Sequence, residues 1–194
     1  DKSQPYDGIL NLLHDLKQAG FKTAIVSNKP HREVLILHKE FFSDCIDIAL
    51  GENELAGIRR KPAPDMVLKA LEHLGVEKNE CVYVGDSDVD IATAQNAGVE
   101  CISVLWGFRK REFLQAKGAT RFAQSPSEVF SIGNRLQRRM FCKCQSAHAD
   151  DCGEGGEEYC GFVRGKHFLS VFVIGLQPVC YEYAEIVAYA KYEG

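Results

Sequence analysis

Four short apolar runs, each followed by a segment of helical length, constrain this chain more than any other feature. They are "FKTAIVSN" (21–28), "CIDIALG" (45–51), "CVYVGD" (81–86) and "ECISVLWG" (100–107). Each has the length of a buried strand. The intervening segments carry helical stripes. "YDGILNLLHDLKQAG" sets Ile9, Leu12, Leu13 and Leu16 on one face, and Gly20 closes it. "PHREVLILHKEF" reads as a helix with Pro30 in its first turn. "KPAPDMVLKALEHLG" is opened by Pro64 and Asp65 and closed by Gly75, and "VDIATAQNAG" follows the third run. "ATRFAQ" is a short fifth element, and "SPSEVF" carries a capping box with Ser125 as N-cap, Pro126 at N1 and Glu128 at N3. Strands alternating with helices predict an α/β, Rossmann-like fold: a mostly parallel sheet covered on both faces. Ligands of such sheets bind at the carboxyl ends of the strands.

Three polar sites follow strands in order. Ser27 and Asn28 end the first run, Lys61 stands in "RRKPAPD" at the mouth of a helix, and Asp86 with Asp90 follows "VYVG". All three should project from one sheet edge. A hydroxyl and an amide, a lysine and paired carboxylates suit a phosphate plus a divalent metal. Hydroxyl and backbone N–H groups hold phosphate oxygens, the lysine neutralises charge, and carboxylates prefer a hard ion such as Mg²⁺. Singly, each element has a plainer reading. Ser27-Asn28 is a strand-end turn, Lys61 a solvated charge, and Asp88 the cap of the helix after Asp86. Asp86-Ser-Asp-Val-Asp90 is not a calcium loop, because Ile91 stands where that loop needs Gly and Ala97 where it needs Glu.

Taken together and in this order, the stretch from Pro5 to about Ile132 resembles the core domain of the haloacid dehalogenase superfamily, near its phosphoglycolate phosphatase group. "TAIVSNKP" is similar to the second family motif, "KPAPD" to the third, "VYVGDSDVDIATAQNAG" to the fourth, and "SVLWGFR" to the loop after the next strand. The resemblance implies that Ser27 binds the transferring phosphoryl group and Asn28 helps position it. It implies that Lys61 stabilises the phosphoryl charge and the nucleophile. Asp86 would ligate Mg²⁺, with Asp90 at the metal or supporting the site through Lys61. The implied reaction is hydrolysis of a small phosphorylated metabolite through an aspartyl-phosphate, in the cytoplasm.

The family's first motif, D-x-D-G-T, does not occur in these 194 residues, nor does the helical cap expected after it. The chain therefore reads as the back half of a phosphatase, a fragment lacking the first strand and inactive alone. That strand belongs between the ones ending at Ser27 and Asp86, and its loss leaves buried edges without partners at about 1–3 kcal/mol for each unmade hydrogen bond. One segment able to fill the gap is "FLSVFVIGL" (168–176), of strand length and β-branched content.

After about residue 133 the composition changes. Residues 1–132 are expected to form the partial core and 133–194 an irregular, Cys-rich tail. Five of the eight cysteines lie beyond residue 140. Cys142, Cys144, His148, Cys152 and Cys160 offer zinc ligands, although their spacing is not the paired C-x₂-C of common zinc sites. The alternatives are a metal-binding fusion, with the tail as the active part, or a tail that is no selected structure, as a frame change would produce. Cys45, Cys81 and Cys101 sit in apolar runs as buried thiols. A formal charge of −4 argues against nucleic acid as a partner. No apolar run reaches membrane-spanning length, and no leader pattern opens the chain. Oligomeric state is left open.

Overall fold

In the computed structural model, residues 5–146, 171–178 and 184–186 are described, with side chains through Leu136. The elements run α1 (Ile9–Gln18), β1 (Lys22–Pro30), α2 (His31–Leu37), β2 (Ile48–Glu52), α3 (Asp65–Leu74), β3 (Cys81–Gly85), α4 (Asp88–Ala97), β4 (Glu100–Val104), α5 (Arg111–Ala116), β5 (Phe122–Ala123), α6 (Pro126–Ser146), β6 (Val171–Pro178) and β7 (Ala184–Ile186). The predicted strands and helices form where the apolar spacing put them, within a few residues. The helix α2 continues into one π turn, His38–Phe42.

The sheet order is β2-β1-β6-β3-β4-β5, parallel throughout, with β7 antiparallel to β6. Alternation along each strand divides the core in two. Ile25, Val82, Val84, Ile102 and Val104 meet α1 and the first part of α6 on one face, through Leu12, Leu13, Leu16 and Val129. Ala24, Val26, Cys81 and Tyr83 meet α3 and α4 on the other, through Met66, Val67, Leu71 and Ala94. A sheet apolar on both faces and covered on both is the buried parallel type.

The position left open for a first strand is filled. Residues 171–176 of β6 pair with Lys22–Ser27 on one side, and 171–174 pair with Cys81–Val84 on the other. The strand comes from the C-terminal segment, as the β-branched "SVFVIGL" allows. The sheet is therefore continuous, and the expected pair of bare edges does not arise. Helix α6 runs through residue 133 to Ser146. The basic "NRLQRR" that marks the change of composition sits within that helix, where straight-chain residues are good helix formers. Of the proposed zinc ligands, Cys142 and Cys144 fall on α6, whose side chains there are not described, and His148, Cys152 and Cys160 lie outside the described residues. No helix among the described residues is long and apolar enough to cross a membrane.

Candidate active site

Register brings the chemistry to one edge. Ser27 on β1 is level with Leu176 on β6, and Val84 on β3 is level with Ile174. Counting two residues on from Val84, Asp86 is level with Leu176 and so with Ser27. The C-terminal ends of β1 and β3 thus flank β6, with the hydroxyl of Ser27 on one side and the carboxylate of Asp86 on the other. The residue between them at that level is Leu176, not an acid.

Three loops are tied together beneath this edge by one chain of hydrogen bonds. The side-chain amide of Asn28 closes on the backbone of Lys61: the Lys61 N–H donates to Asn28 Oδ1 at 2.6 Å, and Asn28 Nδ2 donates to the Lys61 carbonyl at 3.1 Å. Lys61 Nζ then donates to Asp90 Oδ1 at 2.8 Å, with both side chains at 0% exposure. Asp90 Oδ1 also accepts from the Tyr83 hydroxyl at 2.7 Å. Its Oδ2 accepts from Ser87 Oγ at 2.6 Å and from the Asp86 N–H at 3.3 Å. A buried charge is tolerable only when paired and hydrogen-bonded, and Asp90 meets that condition at both oxygens. Burial alone would raise its carboxyl; the Lys61 ammonium and the hydroxyls of Ser87 and Tyr83 outweigh burial, and the carboxyl lies below the usual range. Burial pushes the Tyr83 hydroxyl well above its ordinary value, with Asp90 adding to the effect, so it stays a donor.

Asp86 is wholly buried, and its Oδ2 accepts the Phe108 N–H at 2.6 Å. That contact requires the loop after β4 to come very close. A Cβ on Gly107 would stand 2.3 Å from Asp86 Oδ2. Gly85 is held the same way, since a Cβ there would stand 2.3 Å from that of Asp90. At the glycines of "VGD" and "WGF" backbone passes within contact of a site carboxylate. Asp88 does not cap α4; Ser87 does, its Oγ accepting the Asp90 N–H at 3.3 Å, and Asp88 occupies the first helical position. There Asp88 pairs with Arg109 at 3.4 Å. The hydroxyl of Ser87 reaches the helix N–H from a strand-like backbone, as an N-cap must, whereas Asp88 is already helical. At α6 the Ser125 cap forms, but Glu128 reaches the N–H of Gln124 instead of that of Ser125.

For a divalent cation, the residues present fit in part. Asp86 offers a carboxylate at the strand end, level with Ser27. Asp90 faces Lys61 and Tyr83 with one oxygen and Ser87 with the other, and in that state it supports the site rather than opening onto it. No cluster of three or more His, Cys, Asp or Glu able to hold a metal occurs among the described residues. A single carboxylate with waters is a donor set that Mg²⁺ accepts.

Residues 1–104 match the family model of haloacid dehalogenase-like hydrolases. The chain belongs to that family. Within the haloacid dehalogenase-like hydrolases, a phosphoglycolate phosphatase of Xylella fastidiosa (strain Temecula1) is 40% identical over 111 residues, 57% of this chain and 48% of that protein. Pyrophosphatase PpaX of Bacillus cereus (strain B4264) is 31% identical over 140 residues, 70% of this chain and 62% of that protein. A crystal structure from Lactobacillus delbrueckii subsp. bulgaricus superposes with a TM-score of 0.63 at 48% identity, over 64% of this chain and 52% of that one. The chain thus spans about half the length of the curated phosphoglycolate phosphatases it matches. Of the residues singled out in the sequence, Asn28, Lys61, Asp86 and Asp90 join one hydrogen-bonded network, and Ser27 stands at the same edge. Tyr83, Ser87, Gly107 and the Phe108 N–H were not singled out. The one signal for Tyr83 was a polar tip in an otherwise apolar strand.

Proposed function

We propose that this chain supplies the phosphate- and metal-binding half of a Mg²⁺-dependent phosphatase acting on a small phosphomonoester, with a phosphoglycolate-like compound as the leading substrate. The observation that carries this reading is the network running from Asn28 through Lys61 and Asp90 to Asp86 at the end of a parallel sheet. In it, Ser27 donates its hydroxyl to a phosphate oxygen, as polar groups at strand ends do. Lys61 gives one N–H to Asp90 and keeps others for the phosphoryl oxygens. Asn28, by clamping the Lys61 peptide, fixes where that ammonium stands. Asp86 holds Mg²⁺, which when bound offsets the negative charge gathering on the phosphoryl oxygens. Asp90 pairs with Lys61 and aims its ammonium. The reduced thiols of Cys45, Cys81 and Cys101 fit a reducing compartment such as the cytoplasm.

The resemblance assigns the nucleophile to a D-x-D-G-T aspartate, and no residue of this sequence fills that role. Removing a nucleophile that acts in concert with its neighbours costs on the order of 10⁶ in rate. The 194-residue chain alone is therefore expected to show no turnover of phosphoglycolate or pyrophosphate with Mg²⁺. Exchanging residues 176–180 at the end of β6 for D-x-D-G-T, in the position that strand already fills between β1 and β3, should restore turnover, and Asp86→Asn should abolish it again. Robust turnover by the 194 residues alone, lost in Asp86→Asn, contradicts the assignment of the nucleophile. Restored turnover that survives Asp86→Asn contradicts the role of Asp86.

A further inference from the structure

We propose that Tyr83 is a positioning residue for the Lys61–Asp90 pair, an inference that rests on the function just proposed. Tyr83 lies on β3 with its ring in the core between the sheet, α3 and α4, at 0% exposure. Packing alone would be served by phenylalanine. The hydroxyl instead ends 2.7 Å from Asp90 Oδ1, the oxygen that Lys61 Nζ reaches at 2.8 Å. Two donors on one oxygen, with Ser87 on the other at 2.6 Å, leave the carboxylate one orientation. The ring is fully buried in the core cluster with residues of α3 and α4, so the hydroxyl is not free to follow Asp90 if the carboxylate turns. Tyr83 therefore transmits the rigidity of the sheet to the ammonium that faces the phosphate. It touches neither substrate nor metal and acts through Asp90.

The test is NMR on the full chain, wild type against Tyr83→Phe, with the Lys61 ammonium ¹⁵N resonance as readout. In the wild type the Lys61 ammonium protons exchange slowly. In Tyr83→Phe their exchange accelerates by roughly tenfold or more, since a hydrogen bond to a charged group is lost, while the backbone amide spectrum is retained. Added to Asp90→Asn, the same substitution changes the ammonium no further. Exchange in Tyr83→Phe equal to wild type, whatever the melting temperature does, overturns the proposal. Should the variant not fold, the wild type decides. A slowly exchanging Tyr83 hydroxyl proton with a nuclear Overhauser effect to the Asp90 side chain supports the assignment, and its absence overturns it. Mg²⁺ titration of the same samples separates the two readings. A wild type that binds no Mg²⁺ contradicts the proposed function, while the ammonium result still judges Tyr83.

Discussion

At the residue scale the site turns on a buried ion pair whose acid is held down by its neighbours. Asp90 has an ordinary value of 3.8 when unfolded and a lower one when folded. Its ionisation therefore stabilises the fold above the unfolded value, and that contribution is lost as pH falls through the folded one. The stability gap between wild type and Asp90→Asn should be full at neutral pH and shrink as pH drops below 3.8, measured by urea midpoints across an acid series. A gap that stays constant through that range contradicts the pairing. Gly107 gives a second test. A Cβ there meets Asp86 Oδ2, which the Phe108 N–H prevents from retreating. Gly107→Ala should cost about 1–3 kcal/mol, the usual range for overpacking, as read by urea denaturation. A variant as stable as wild type would show that the loop has room to move.

At the element scale the sequence was readable where a local rule decides structure. Strand β3, helix α1 and the glycine that ends α3 follow from an apolar run, a helical stripe and the left-handed backbone at Gly75, with φ of 64°. The π turn after α2 carries no such rule, and α5 is too short to show a stripe. The site divides in the same way. Ser27, Lys61, Asp86 and Asp90 are polar residues at strand or helix ends, and their order along the chain pointed to one edge. The contribution of Tyr83 depends on which face of β3 meets α4, a fact of packing. That of the Phe108 N–H depends on how closely a loop twenty-two residues away returns to Asp86. Ser87 displaced Asp88 as the cap because only the backbone conformation distinguishes them.

At the scale of the whole molecule, β6 makes the sheet continuous. A strand from beyond the compositional change at 133 lies between β1 and β3, so the C-terminal segment supplies one strand of the sheet. Its backbone is bonded on both sides, and proline is not accommodated in such a strand. Val173 pairs with Ala24 and Tyr83. Val173→Pro should lower stability by about 3 kcal/mol or more, a large share of the ~5–15 kcal/mol available to a domain, whereas Val173→Thr keeps the strand. Equal urea midpoints for the two variants would place these residues outside the sheet.

The central claim is that the edge formed by β1, β6 and β3 is a metal- and phosphate-binding site built on Asp86. The measurement that tests it most directly is a Mg²⁺ titration of the 194-residue chain, wild type against Asp86→Asn, followed through backbone amide shifts. Saturable shifts centred on Ser27, Asp86 and Phe108 are expected. In Asp86→Asn the affinity should fall by about tenfold or more, with the rest of the spectrum unchanged. Equal affinity in the two proteins, or shifts that cluster away from this edge, would contradict it.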